Sequence, residues 1–301
     1  MTVYILGSGF SQAAGEPLAN EINLQLFKNE KSKDSFLYRW ISEHLYYNHP
    51  SWHKNFSFEE LISRLDLYLH YNHLKGDENN IKKVELELLH HFIDLLKKQN
   101  LNYNSSVYEK FIKKLNPDDT IVSFNYDLLI EKTLKNLNLP MPNFGIINTS
   151  NSFINNSPFN LYKLHGSINW SYCPRCKEIF FQDSDIVDEE INNLSAGNCI
   201  RKPLIIAPTL YKSYSLPKLR ILWKKAFKVL SNTPTIYFIG YSIPRADALV
   251  YQLLDLANSI NTNHPKVYLV NGNKANYTRH LSIYSSLINT NLTFEEWIKK
   301  E

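Results

Sequence analysis

A chain of 301 residues with 44% hydrophobic and 21% charged side chains can bury one large core and a smaller satellite, which excludes a disordered or fibrous polymer. Its formal net charge of +4 is small for this length: it admits anionic ligands, but direct nucleic-acid binding is not expected. The chain opens on a strand rather than a basic and then apolar leader, and no stretch approaches the roughly 20 uninterrupted apolar residues of a membrane span, so a cytoplasmic protein is expected.

The first element is an apolar run, Val3-Tyr4-Ile5-Leu6, feeding Gly7-Ser8-Gly9-Phe10-Ser11-Gln12-Ala13-Ala14-Gly15-Glu16. A buried strand, a glycine turn and a helix let backbone N–H groups approach a pyrophosphate without an intervening Cβ. The spacing departs from strict G-x-G-x-x-G, and by itself it would serve equally as an ordinary strand-to-helix turn. From residue 34 to 115 the apolar residues recur at three and four, as Phe36, Trp40, Ile41 and Leu45, then Phe58, Leu61, Ile62, Leu65 and Leu69, then Val84, Leu86, Leu88, Leu89, Phe92, Ile93, Leu95 and Leu96. This predicts a helical insertion, broken at Pro50-Ser51, at Gly76-Asp77 and between 100 and 106. Thr120 resumes a strand–helix alternation. Thr120-Ile121-Val122-Ser123 runs into Phe124-Asn125-Tyr126-Asp127 and a helix from Leu128 to about Leu137, and residues 141–160, rich in Asn, Pro and Ser, read as a long surface loop.

Leu161-Tyr162-Lys163-Leu164 then runs into His165-Gly166-Ser167, followed by a cysteine-bearing excursion to about Arg201 and a strand at Pro203-Leu204-Ile205-Ile206. An amphipathic helix carries Leu219, Leu222, Trp223, Ala226, Phe227 and Leu230 on one face, with Lys218, Lys224, Lys225 and Lys228 mostly on the other, which reads first as a solvated basic face and otherwise as a partner or nucleic-acid surface. Thr235-Ile236-Tyr237-Phe238-Ile239 leads into Gly240-Tyr241-Ser242-Ile243-Pro244, and Val267-Tyr268-Leu269-Val270 into Asn271. The expected class is α/β, a Rossmann-like parallel sheet with a helical insertion.

Ligands of open α/β sheets sit outside the carboxyl ends of the strands, so the polar groups following each strand are expected to share one crevice. His165 emerges there, and an imidazole with an ordinary pKa of about 6.5 suits general-base work. Taken singly, it reads first as a packed or capping histidine, and the ordered motif set reverses that in favour of catalysis. Asn125 and Asp127 could order a water, a ribose hydroxyl or a carboxamide, or could form a turn and helix cap before Leu128. Three cysteines are an odd and sparse set, so reduced thiols rather than a disulfide framework are expected. Cys173-Pro174-Arg175-Cys176 has the spacing of half a zinc ribbon, with only Cys199 left for the other half; a second C-x-x-C would need a thiol at Ala196 or Lys202. Three thiolates and one unidentified ligand could hold a structural Zn²⁺.

The order of these motifs, a glycine turn with Ser11, then Ser-Phe-Asn-Tyr-Asp, Leu-His-Gly-Ser, Gly-Tyr-Ser and the 267–271 strand end, resembles the SIR2-like (sirtuin-fold) NAD⁺ hydrolase domains of bacterial antiviral defence proteins. The resemblance implies a single SIR2-like domain over 1–301, with residues 34–115 as a helical insertion and 170–201 as a small, degenerate zinc-ribbon-like module. It implies Asn125 as the ribose and water-positioning residue and His165 as the base. Asp127 would contact nicotinamide; Gly7, Ser8, Gly9, Phe10 and Ser11 would line the pyrophosphate; Gly240 and Ser242 would hold phosphate and ribose; and Asn271 would approach the adenine ribose. Cys173, Cys176 and Cys199 would be the metal ligands.

The ordinary sirtuin carries Pro-Asp-Phe-Arg, a glutamine before the asparagine, and Phe-Gly-Glu, where this chain has Pro17-Leu18-Ala19-Asn20, Phe124 and about Ile205-Ile206-Ala207-Pro208-Thr209. With those acyl-lysine channel residues gone, water is the expected acceptor. The expected reaction is cleavage of NAD⁺ to nicotinamide and ADP-ribose, depleting NAD⁺ in antiphage defence. A protein deacylase, or a non-catalytic subunit that senses NAD or ADP-ribose, are the alternatives. A homo-oligomer and a HerA-type ATPase partner are the further implications.

Overall fold

The computed structural model describes residues 1–18, 21–28, 35–47, 49, 51–71, 78–99, 105–146, 157–182, 201–206, 216–244, 247–271, 280 and 282–301. Strand β1, Val3–Leu6, is buried at every position, which is what an uninterrupted apolar run dictates for a parallel strand covered on both faces. It pairs in parallel with β2, Thr120–Ser123, on one side. The strand on its other side comes from far down the chain, Thr235–Ile239.

Numbered in chain order, β3 is Asn160–Lys163, β4 Gly166–Tyr172, β5 Ile179–Phe181, β6 Lys202–Ile205, β7 Thr235–Ile239, β8 Lys266–Val270 and β9 Leu287–Asn289. The main sheet has the order β3-β2-β1-β7-β8-β9, and every pairing in it is parallel. The chain works outward from β1 through β2 to β3, then returns to β7 and works outward the other way. The reversal falls between β1 and β7, so the crevice of a doubly wound sheet opens there, at the carboxyl ends of those two strands.

A second sheet, antiparallel, has the order β5-β4-β6. The strand expected at 203–206 is present as Lys202–Ile205, but it belongs to this small sheet. Strand β4 was not foreseen, because Gly166 reads as a turn. Gly166 has φ +83°, and a Cβ there would lie 2.0 Å from the Leu204 carbonyl oxygen, so it is the corner through which β3 turns from one sheet into the other.

Among the described residues, the helices between β1 and β2 are α1 Ser8–Ser11, followed by the 3₁₀ turn Gln12–Ala14, then α2 Ile22–Leu26, α3 Phe36–Leu45, α4 Trp52–Asn55, α5 Phe58–Tyr71, α6 Glu78–Gln99 and α7 Ser105–Lys114. Helices α2 to α6 build their own core, in which Trp40, Trp52, Phe58, Leu61, Val84, Leu88 and Phe92 are buried, and Leu128 and Ile168 reach into it from the main body. Helix α7 instead packs Tyr108 and Phe111 into the core of the sheet. Phe36 and Leu86, counted in the apolar periodicity, are 39% and 56% exposed. Leu86 lies two residues from both Val84 and Leu88, and residues two apart do not share a helix face.

Among the described residues, four helices follow β2: α8 Leu129–Asn136, α9 Pro217–Leu230, α10 Ala248–Ile260 and α11 Phe294–Lys300. Helix α9 buries Leu219, Leu222, Ala226 and Leu230, as the pattern requires. Its lysines do not form the uniform solvated face expected of them. Lys218 pairs with Glu178 and Lys225 donates to the Gly145 carbonyl, while Lys224 and Lys228 are exposed. The expected surface loop over 141–160 is also corrected at both ends, where Phe144, Ile146 and Phe159 are buried in the main core; residues 147–156 lie outside the described residues.

One contact fixes the geometry of the crevice. Gly240 has φ +62°, and a Cβ on it would stand 2.3 Å from both Gly9 C and Phe10 N. Gly240→Ala is therefore expected to cost about 2–4 kcal/mol, the sum of the left-handed penalty and backbone overpacking, read as a lower urea midpoint at unchanged m-value.

Candidate active site

The glycine turn is held against β7 by its own backbone. Gly7 N donates to Ile239 O at 3.1 Å, Gly9 N to Gly240 O at 3.0 Å, and Phe10 N to Gly7 O at 2.9 Å. Those three amides are thus bonded within the chain. The glycines serve to let β7 approach: a Cβ on Gly7 or Gly9 would stand 2.7 Å from the Gly240–Tyr241 backbone. The Phe10 ring leaves the turn for the core, packing on Tyr108, Phe111 and Phe294.

Asn125 crosses from the end of β2 to this turn. Its Nδ2 donates to Gly7 O and to Ser11 Oγ, both at 2.8 Å. With both amide hydrogens spent, what Asn125 can offer a ligand is its acceptor Oδ1. Ser11 Oγ in turn donates to Asp127 Oδ2 at 2.6 Å, and Asp127 Oδ1 accepts from Leu129 N at 3.0 Å. Asp127 therefore does cap the start of α8, and it also terminates a donor chain running Asn125, Ser11, Asp127. The pattern of Ser11, Asn125 and Asp127 is brought together as the motif order suggested.

Beneath this chain lies a charged pair that sequence reasoning missed. Lys163 Nζ bonds Glu131 Oε1 at 2.9 Å, Ser167 Oγ at 2.8 Å and the Asp127 carbonyl, and both charged side chains are 5% exposed or less. All three ammonium hydrogens are thus placed. Burial pushes the Glu131 carboxyl above the usual carboxylate range, with the Lys163 ammonium pulling it back. A usable signal existed in the sequence: a lysine inside a strand buried on both faces must find an acceptor.

His165 follows β3 and is 2% exposed. Its ring is flanked by Phe124, at 5.1 Å between centroids, and by Tyr126, at 6.1 Å. Its Nε2 stands 3.5 Å from Asp247 Oδ1, and Asp247 Oδ2 accepts from the Tyr241 hydroxyl at 2.8 Å. Asp247 was not singled out from the sequence; it stands at the N-cap position of α10. Here the side chain makes no cap bond to α10. Gly240 and Asn271 stand at the carboxyl ends of β7 and β8, with Ser242 half-buried beyond Gly240.

Among the described residues the cysteine module does not complete a metal site. Cys173 is buried and Cys176 exposed, at the tip of the β4–β5 hairpin, where Cys173 N bonds Glu178 O and Lys177 N bonds Cys173 O. Cys199 lies outside the described residues. Among the described residues no group of three or more His, Cys, Asp or Glu side chains could hold a metal ion; Cys173 and Cys176 are two of the four ligands that a structural zinc needs. No described helix is long and apolar enough to cross a membrane.

The fold is that of sirtuins. A structure reported as the structural basis of sirtuin substrate affinity aligns over 100% of this chain and 92% of its own, with a TM-score of 0.50 at 14% identity. A crystal structure of a Sir2 homologue in complex with NAD aligns over 99% and 86%, with a TM-score of 0.47 at 12% identity. No curated protein matches the sequence. Residues 119–289, more than half of the chain, match the SIR2-like domain family, and the chain belongs to that family.

The buried pair generates a stability prediction. Lys163→Met leaves Glu131 without its counterion and is expected to cost about 3–5 kcal/mol in guanidinium unfolding, whereas Lys163→Met with Glu131→Leu should recover most of that loss.

Proposed function

We propose that the protein is an NAD⁺ glycohydrolase that breaks the nicotinamide–ribose bond and gives nicotinamide and ADP-ribose. The observation that carries this reading is the Asn125 amide, tied to both Gly7 O and Ser11 Oγ so that its Oδ1 is held at the switch-point crevice. Family membership supplies the ligand class.

The dinucleotide lies across the ends of β1 and β7, its pyrophosphate lined by Gly7, Ser8, Gly9, Phe10 and Ser11. Because the amides of Gly7, Gly9 and Phe10 are taken, the Ser8 hydroxyl and the close backbone approach are what this turn contributes, joined by the Ser11 hydroxyl once Asp127 releases it. Gly240 and Ser242 take phosphate and ribose, and Asn271 the adenine ribose. Asp127 faces the carboxamide, exchanging the Ser11 hydrogen bond to do so. As the C1′–N1 bond breaks, its electron pair leaves with nicotinamide. Water positioned by Asn125 adds to C1′, and His165 takes its proton.

Water rather than an acyl-lysine is the acceptor. In support, Phe124 stands where the sirtuin glutamine would be and fills the space between Tyr241, 4.4 Å away, and His165. From the same resemblance we take a single SIR2-like domain with its 34–115 insertion and 170–201 module, a cytoplasmic homo-oligomer, a HerA-type ATPase partner, and NAD⁺ depletion during phage infection as the biological outcome.

The test is nicotinamide and ADP-ribose release from NAD⁺ across a protein concentration series. Asn125→Ala and His165→Ala are each expected to lower the rate by about 10²–10⁴. Release only on addition of an acylated peptide would establish a deacylase instead, and tight binding without product would establish a sensor.

A further inference from the structure

The carboxylate of Asp247 has no role in the scheme above, yet it is among the most deeply placed charges in the molecule. Its side chain is 3% exposed, and both of its oxygens are directed: Oδ2 to the Tyr241 hydroxyl at 2.8 Å, Oδ1 to His165 Nε2 at 3.5 Å. It occupies the N-cap position of α10, where an aspartate ordinarily accepts from the helix backbone, and makes no such bond. The helix start gives up that stabilisation, and the carboxylate turns back toward the imidazole.

Its partner is itself anchored. The Tyr241 ring stacks on Phe124 at 20°, its carbonyl is 2.9 Å from His280 Nε2, and its Cα lies against Gly7. The carboxylate position is therefore referred to the glycine turn through one residue. The imidazole, between Phe124 and Tyr126, presents its Nε2 edge to a buried negative charge. A proton on Nε2 is stabilised there, and one on Nδ1 would leave the Nε2 lone pair facing the carboxylate.

We propose that Asp247 is a positioning residue that fixes His165 as the Nε2–H tautomer, so that Nδ1 is the atom that takes the proton in the hydrolysis. This deepens the NAD⁺ hydrolase reading and rests on it for its catalytic half. The imidazole tautomer itself can be read without turnover.

The test uses the full chain and Asp247→Asn, which keeps an acceptor for the Tyr241 hydroxyl and removes the charge. Long-range ¹H–¹⁵N correlation spectra, with His165 assigned by His165→Gln, should show protonated Nε2 and bare Nδ1 in the unsubstituted chain and loss of that preference in Asp247→Asn. Under saturating NAD⁺, kcat should fall on the order of 10²-fold with KM changed by less than about twofold, and Asp247→Asn added to His165→Ala should slow it no further. Asp247→Glu should restore part of kcat. An unchanged His165 tautomer in Asp247→Asn overturns the proposal, as does an unchanged kcat beside an altered tautomer. If the unsubstituted chain releases no nicotinamide, the hydrolase reading falls, and the spectra alone decide whether Asp247 sets the tautomer.

Discussion

The backbone-to-backbone contact of Gly9 with Gly240 is the constraint on which the rest of the molecule depends. Two strands that leave the sheet side by side must diverge beyond their ends unless something draws the segments after them together. Here the amides of Gly7 and Gly9 bond the carbonyls of Ile239 and Gly240, and the absence of any Cβ lets the chains approach closely. The turn after β1 is thereby held in one orientation by the protein itself, and a ligand entering it need not order that loop, which removes part of the entropy cost of binding.

The small antiparallel sheet is attached to this centre by polar bonds rather than by apolar packing alone. Ser167 of β4 accepts from Lys163, Ile206 N bonds the His165 carbonyl, and the Tyr126 hydroxyl donates to Ile206 O. Each of these atoms is buried or nearly so, and each would cost free energy if left unpaired. The strand-to-strand corner at Gly166 is therefore directional: hydrophobic contact fixes that the two sheets meet, and these bonds fix the angle at which His165 is presented.

The parallel sheet was legible in the residues because buried parallel strands need no polar alternation, and β1, β2, β7 and β8 each read as a short apolar run ending in glycine or a small polar residue. The meeting of Asn125, Ser11 and Asp127 followed from strand ends alone. What could not be read was pairing across distance. Lys163 and Glu131 are 32 residues apart, and nothing local says that one will balance the other. Asp247 was not visible for a similar reason, since a helix-capping aspartate and one aimed at an imidazole share the same local sequence. Strand β4 was missed for a related reason: a glycine with positive φ usually ends a strand, whereas at Gly166 it begins one.

The central strand also has a history distinct from that of its neighbours. During synthesis β1 is made well before either partner: β2 lies some 117 residues later in register, and β7 is 233 residues away at the Val3–Ile236 pairing. A ribosome must add more than 230 residues after β1 before this apolar segment can be covered on both edges. Topology of this kind folds slowly, because loop closure over hundreds of residues precedes any reward from the contact. In the interval the nascent chain exposes a ready template for misassociation, and any truncation ahead of β7 would leave it permanently so.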